Sequence, residues 1–190
     1  MERVEPIRDR EVIKNMLDYL KSNEKYRDYL LMAIGFNTAL RISDLLELKV
    51  KDVRKENGDY HDHIRLREQK TGKNGRHKVN EAMEEALDTF FDHNPSKGPE
   101  DYLFTSYAGQ LTRQRVNQIV KDLTNRFNLE GRYASHSMRK SFGYHALRAG
   151  ARTDVIQAKF NHSSRRQTLD YCGITDDDVD DIVDNLNLGL

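Results

Sequence analysis

Residues 136–150 read HSMRKSFGYHALRAG, and this pattern is that of a helix with functional side chains on one face. His136 and Arg139 are three positions apart, so on a helix their side chains lie on the same side. We expect Ser135 to cap this helix and Gly150 to end it. Because the guanidinium fork matches two phosphate oxygens, the stretch predicts a phosphate-binding face.

A second polar stretch, NHSSRRQTLDY, follows at residues 161–171. Ser163 and Ser164 are candidate caps for a short helix that carries Tyr171. A tyrosine phenol can attack a phosphodiester and conserve the bond energy in a phosphotyrosine. His162 precedes the tyrosine by nine residues and is a further candidate for contact with the phosphate.

Two stretches nearer the N-terminus supply the remaining cations, TALRISDLLELK at 38–49 and EQKTGK at 68–73. Arg41 follows a helix expected over 24–39, a rigid position from which it could grip the same phosphate. Two arginines and two histidines would stabilise the added negative charge of a pentavalent transition state without a metal. Lys70, on an expected hairpin turn, could protonate the leaving sugar oxygen, and Lys73 is the alternative.

In this order and at these spacings, the four stretches resemble the catalytic domain of the tyrosine recombinase (phage-type integrase) family, over roughly residues 5–175. The resemblance implies strand cleavage through a 3′-phosphotyrosyl link, followed by rejoining, with no cofactor. Asn161 departs from the family, which usually has glycine before this histidine. The resemblance implies a catalytic set of Arg41, Lys70, His136, Arg139, His162 and Tyr171, with Asp44 as an acidic residue that steadies the site.

The family's partner is double-stranded DNA, and the resemblance implies a homotetramer on two DNA sites that is a monomer when free, with a possible accessory DNA-bending protein. Whether Tyr171 is poised in the site or swung away without DNA stays open, and we favour a site that is incomplete until this assembly forms. Further cations are candidates for contact with the DNA: Lys73, Arg76, Arg113, Arg115, Lys140, Arg165 and Arg166.

The charge is unevenly distributed, although 31 lysines and arginines balance 31 acids over the whole chain. Residues 175–190 contain six aspartates and no lysine or arginine, so the excess of basic residues lies before them. A basic body suits a nucleic-acid partner, whereas the acidic tail could equally be a solvated helix. Val179, Ile182, Val183 and Leu186 would share one face of that helix.

Other function classes find little support. No run of about 18 apolar residues suggests a transmembrane helix, and the charged N-terminus does not resemble a signal peptide. We therefore expect a cytoplasmic protein of bacterial or phage origin. Cys172 is the single cysteine, and His145 and His162 lack a third ligand at a sensible spacing, so we expect no metal site.

The expected fold class is mainly α with a small antiparallel β-sheet (α+β), the catalytic-domain fold of the family, with a three-stranded sheet. Apolar periodicity predicts helices over 9–21, 24–39, 80–92, 112–127, 135–150 and 152–160. We expect residues 1–175 to form one catalytic domain and 176–190 to form a tail that docks on a neighbouring protomer or folds back.

Three alternatives remain open. Asp62, Glu68 and Lys70 weakly imitate the metal-binding set of a metal-dependent nuclease. A type IB topoisomerase-like enzyme would use the same tyrosine chemistry without strand exchange. A non-catalytic DNA-binding relative is the third, although every catalytic position implied by the resemblance is filled.

Overall fold

The computed structural model describes residues 4–70, 72–175, 178, 180 and 184. These residues form helices and short strands in one mainly helical arrangement. The helices are α1 (Arg10–Ser22), α2 (Tyr26–Thr38), α3 (Ile42–Leu46), α4 (Val50–Val53), α5 (Glu81–Asp92), α6 (Arg113–Arg126), α7 (Ser135–Arg148), α8 (Thr153–Phe160) and α9 (Arg165–Cys172). The strands are β1 (His63–Arg67), β2 (Asn74–Lys78), β3 (Thr105–Ser106) and β4 (Gly109–Gln110).

Local capping explains why the helices begin where the sequence predicts. The Asp9 carboxylate accepts from the amide of Glu11 at 2.8 Å at the start of α1. Thr112 caps α6 in the same way, and Ser164 accepts from the Gln167 amide at 3.1 Å to cap α9. Side chains of this type satisfy amides that the first helical turn leaves without partners.

The predicted cap of α7 is wrong by one residue. Ser135 is the first residue of the helix, and Ala134 is its N-cap. The Ser137 hydroxyl accepts from the Ala134 amide at 3.2 Å, and Asn117 accepts from the Ser135 amide at 2.9 Å. Two other side chains therefore satisfy amides at the start of this helix.

The expected three-stranded sheet is also wrong among the described residues. β1 and β2 form a two-stranded antiparallel hairpin, and β3 and β4 form a separate one. Tyr60 forms only an isolated bridge with Arg54. A turn closes directly between them, where Lys55 donates to the Asp59 carbonyl at 2.7 Å, so the segment is too short to extend the sheet.

The buried apolar residues divide into two clusters. The larger one surrounds α2, whose side chains are buried on nearly all sides, as its apolar sequence predicts. The smaller one consists of the buried Ala39, Ile156, Phe160 and Cys172, and partly buried apolar side chains of α7 pack against it. A Cβ on Gly143 of α7 would lie 2.4 Å from the Cys172 sulfur, so this glycine allows α9 to approach closely.

The tail is described at only three positions after Thr175. Asp178 is buried and accepts from the Tyr144 hydroxyl at 3.0 Å and from the Thr175 amide at 2.9 Å. The predicted apolar face at 179–186 and Thr71 lie outside the described residues. Within the described part of the chain, no helix has the length and apolar character needed to cross a membrane.

Candidate active site

A cleft of about 500 Å³ opens between the β1–β2 turn, the start of α3, the N-terminus of α7 and the α8–α9 connection. It collects side chains from widely separated parts of the chain. All six residues of the implied catalytic set line it, together with others from the same stretches and with Arg113 and Phe160 from outside them. The lining residues are Arg41, Ile42, Ser43, Lys70, Arg113, His136, Arg139, Phe160, Asn161, His162, Gln167 and Tyr171.

Arg139 is fixed at the bottom of the cleft by two helix ends. Its guanidinium, which is buried, donates to the carbonyl of Ala39 after α2 and to the carbonyl of Phe160 at the end of α8, the latter at 3.2 Å. Both helices end in a left-handed residue, Ala39 with φ 58° and Asn161 with φ 55°. Helix C-termini carry partial negative charge and suit a cation, which explains how so buried an arginine is accommodated.

Arg41 lies beside it as the second arginine of the cleft. It donates to the same Phe160 carbonyl at 3.5 Å and forms an ion pair with Glu68. Since Arg139 contacts that carbonyl too, one backbone oxygen holds the two guanidinium groups together. The prediction that two arginines from distant elements converge on one point is supported by this geometry.

His136 is held by an arginine that the sequence indicated only as a DNA-contact candidate. Its Nε2 lies 3.1 Å from an Nη of Arg113. Because arginine can only donate, Nε2 accepts and the ring proton is placed on Nδ1. Burial, and then the charges of Arg113 and Arg139, lower the pKa of His136, which keeps the imidazole neutral at pH 7.

His162 has its orientation and tautomer set by Thr168, which the sequence did not single out. The Thr168 hydroxyl donates to the Ser164 carbonyl at 3.1 Å and lies 3.2 Å from Nδ1 of His162. A hydroxyl has one proton to give, so Nδ1 must donate to it and Nε2 is left as an acceptor. Burial, then Arg139 and Arg41, lower the pKa of His162.

Tyr171 lines the cleft of its own chain, so of the two positions that the sequence left open, poised in the site or swung away, the structure has the first. Its ring lies 5.0 Å from that of His162 and 5.3 Å from that of Phe160. Burial raises the pKa of the Tyr171 phenol, and the Arg139 charge partly opposes this. Thr168 and Cys172, on either side of it, are buried, which anchors α9 and the tyrosine with it.

Asp44 contacts the hairpin turn rather than a cation. Its Oδ1 accepts from the Gln69 amide at 3.0 Å, directly before Lys70. Its Oδ2 is buried without a hydrogen-bond partner among the described residues. Lys70 itself is exposed at the edge of the cleft. The turn that carries the lysine is thus attached to the start of α3, three residues from Arg41.

The other candidate DNA contacts are distributed unevenly. Arg76, Arg115, Arg165 and Arg166 are exposed but do not line the cleft. Lys73 donates to Asn161 at 2.6 Å, which joins the hairpin to the end of α8. Lys140 is buried, with its amine 4.9 Å from the centre of the Tyr171 ring, so it contacts the tyrosine.

The residues of the nuclease alternative do not assemble into a metal site. Glu68 is paired with Arg41, and Asp62 is exposed beyond the other end of β1. Over the described residues, no group of three or more histidine, cysteine, aspartate or glutamate side chains has the geometry to hold a metal ion.

Comparisons with known proteins agree with the geometry. The sequence model of the phage integrase family matches residues 8–177. The probable integrase/recombinase YoeC of Bacillus subtilis (strain 168) is 34% identical over 179 residues, which cover 93% of each chain. The tyrosine recombinase XerC of Roseiflexus sp. (strain RS-1) is 32% identical over 161 residues, which cover 80% of this chain and 49% of the relative. The chain therefore spans nearly all of one relative and about half of the other.

Solved structures share the fold. The crystal structure of XerA recombinase superposes with a TM-score of 0.76 at 20% identity, over 97% of this chain and 64% of the other. The post-cleavage complex of XerH site-specific recombinase with palindromic difH substrate gives 0.74 at 20% identity, over 95% of this chain and 51% of the other.

Proposed function

The chain belongs to the phage integrase family of tyrosine recombinases, and from this premise we propose that it breaks and rejoins double-stranded DNA through Tyr171. The reaction class is site-specific DNA recombination. The observation that carries the proposal is the convergence of the six implied catalytic residues in one cleft of one chain. A type IB topoisomerase-like enzyme would share the chemistry, but the relatives are recombinases and integrases.

The cations of the cleft bind the scissile phosphate and stabilise its transition state. Arg41 and Arg139 are held side by side by the Phe160 carbonyl, so their remaining N–H groups can reach one phosphate. The pentavalent phosphorus bears more negative charge than the diester, and donors fixed in advance favour it selectively. His136 donates through Nδ1 in the tautomer that Arg113 imposes.

Two proton transfers accompany the displacement. The Tyr171 oxygen bonds to phosphorus while its proton passes to Nε2 of His162, the acceptor left open by Thr168. The bond from phosphorus to the 5′ oxygen breaks, and Lys70 protonates that oxygen. The products are a 3′-phosphotyrosyl link and a free 5′-hydroxyl. Attack by a 5′-hydroxyl of a partner duplex reverses the sequence and rejoins the strand.

We also propose that exchange takes place in a homotetramer on two DNA sites, that the free protein is a monomer, and that an accessory DNA-bending protein can assist. Solved neighbours include DNA-bound recombinase complexes, which supports duplex DNA as the partner. Sedimentation of the free protein and of its complex with a cognate duplex tests the assembly. A free tetramer would contradict it.

The chemistry is tested by covalent trapping on nicked duplexes, in which the short cleaved fragment diffuses away and prevents rejoining. A random-sequence library of such duplexes is incubated with the protein, and DNA in complexes that survive denaturant is sequenced. We expect an adduct with the unmodified protein, none with Tyr171→Phe, and full yield with Tyr107→Phe, a control at a fully exposed tyrosine. An adduct that persists in Tyr171→Phe would exclude Tyr171 as the nucleophile.

A further inference from the structure

Glu68 is an acidic residue beside the cleft that the chemistry above does not use. Its carboxylate is paired with the Arg41 guanidinium, and about 15% of the Arg41 side chain and 14% of the Glu68 side chain are exposed. A pair so nearly buried is poorly screened by solvent, so each charge depends on the other. Arg41 therefore already has an anionic partner in the DNA-free protein.

The partner resembles the ligand that Arg41 is expected to bind. A carboxylate presents two oxygens to a guanidinium fork, as a phosphodiester does, and each anion carries a single negative charge. The cleft brings Arg41 and Arg139 together. Among the described residues, Arg41 forms an ion pair with Glu68, whereas Arg139 donates to two backbone carbonyls. A phosphate that reaches both arginines must approach or replace the Glu68 carboxylate.

Glu68 also closes the turn that carries Lys70. Its amide donates to the Lys73 carbonyl at 2.9 Å, and its carbonyl accepts from the Gly72 amide at 2.8 Å. The next residue, Gln69, is held by Asp44. A movement of the Glu68 side chain away from Arg41 therefore acts on the base of the turn two residues from the lysine.

We propose that Glu68 is a positioning residue that holds Arg41 and the Lys70 turn in the DNA-free protein until a DNA phosphate takes its place on Arg41. The inference rests on the proposed function, because it takes the scissile phosphate as the ligand of Arg41. Displacement of Glu68 releases the turn from Arg41, so Lys70 reaches the leaving oxygen only after the phosphate is bound. The pair thus links substrate binding to delivery of the proton.

The test measures binding to two versions of one duplex, taken from the covalent trapping described above. One has its natural scissile phosphodiester, and the other has an uncharged methylphosphonate at that linkage. All proteins carry Tyr171→Phe, so that binding is measured at equilibrium without cleavage. Glu68→Gln is compared with Glu85→Gln, which also removes one negative charge but whose parent residue pairs with Lys21 on the exposed surface.

We expect Glu68→Gln to bind the natural duplex about tenfold more tightly than the parent, and Glu85→Gln to differ from the parent by less than about twofold. On the methylphosphonate duplex, the difference between the two variants should disappear, because no anion competes for Arg41. A merely structural glutamate would not make the effect depend on the charge of one phosphate. Binding by Glu68→Gln no tighter than by Glu85→Gln, or equally tighter on both duplexes, overturns the proposal.

Circular dichroism first establishes that each variant is folded. If Glu68→Gln is not, Glu68→Asp replaces it, since the shorter side chain keeps the charge but reaches Arg41 less well. Glu68→Asp should also bind the natural duplex more tightly than the parent, by a smaller factor, and lose this advantage on the methylphosphonate duplex. No increase in affinity for the natural duplex overturns the proposal. If the unmodified protein formed no adduct, the proposed function itself would fail. An adduct without a phosphate-dependent effect of Glu68 rejects only this inference.

Discussion

The Tyr171 ring lies edge-on to the His162 imidazole, with ring centroids 5.0 Å apart and ring planes at 69°. Thr168 accepts from Nδ1 of His162, so the second nitrogen is left to accept a proton. The proposed nucleophile and the proposed base are therefore neighbours in the DNA-free chain.

This pairing predicts how cleavage depends on pH. Burial and the charges of Arg139 and Arg41 lower the pKa of His162 below the ordinary histidine value of 6.5. The imidazole therefore stays mostly neutral at pH 6.5. We expect the single-turnover rate of adduct formation to show no loss from His162 protonation above pH 6.5. Below the lowered pKa it should fall about tenfold per pH unit as the imidazole becomes protonated.

Substitution tests whether His162 causes this fall in rate at low pH, which we call the acid limb of the pH profile. His162→Gln should slow adduct formation by roughly 10²–10⁴-fold and remove the acid limb. His136→Gln, at a donor rather than a base, should retain that limb. A wild-type rate that is already halved at pH 6.5 would contradict the role of His162 as the base.

Arg113 is predicted to act on both DNA affinity and the titration of His136. Arg113→Gln should reduce the slope of log affinity against log salt by about one, since about one counterion is released per phosphate contact. Because Arg113 is the largest charged cause of the lowered pKa of His136, the variant should raise that pKa, as observed by proton NMR. Arg115→Gln, two residues along α6, should leave the His136 titration unchanged. An unchanged His136 pKa in Arg113→Gln would contradict the contact.

Asn161 occupies the left-handed conformation that glycine adopts most easily, with φ 55°. Alanine there pays about 1 kcal/mol in backbone strain, so Asn161→Ala should be less stable than Asn161→Gly by this amount in urea unfolding. Asn128, with φ 53° after α6, provides a matched pair of variants. The same stability difference is expected there, whereas only the Asn161 variants should slow adduct formation. Equal stability of the alanine and glycine variants would contradict the prediction.

Gly143 controls the approach of α9 to α7. An added Cβ would lie 2.4 Å from the Cys172 sulfur and 2.8 Å from the Phe160 ring. Gly143→Ala should lower the free energy of unfolding by about 1–3 kcal/mol and reduce adduct formation. The atoms nearest to an added Cβ on Gly35 belong to the Met138 side chain, whose flexible thioether can move, so Gly35→Ala should cost less free energy of unfolding. Urea titration of both variants measures the difference. Equal losses of unfolding free energy would show that the packing around Cys172 is no tighter than that around Met138.

The sequence was sufficient where the signals are local. Asp9, Thr112 and Ser164 each cap a helix within three residues along the chain, so the predicted helix starts are close to those observed. The family motifs named side chains that line one cleft, because the order of four boxes constrains which residues converge. The fold class was confirmed for the same reason.

Contacts between residues that are distant in the sequence could not be predicted from it. The pairing of Arg41 with Glu68 crosses 27 positions, and the sequence around Glu68 offered only a weak resemblance to a metal ligand instead. Thr168 resembled an ordinary helix residue until its distance from His162 was known. The sequence left the position of Tyr171 open because the close packing that anchors α9 depends on Gly143, a residue on another helix.

The smaller apolar cluster has a consequence for heat inactivation. Tyr171 packs against that cluster, whereas α2 and most of the larger core lie outside it. Local opening of a few buried side chains would cost less free energy than global unfolding and would carry the nucleophile away from the arginines. Warming should therefore abolish strand cleavage at a temperature where the helical signal is still intact, and cooling should restore it.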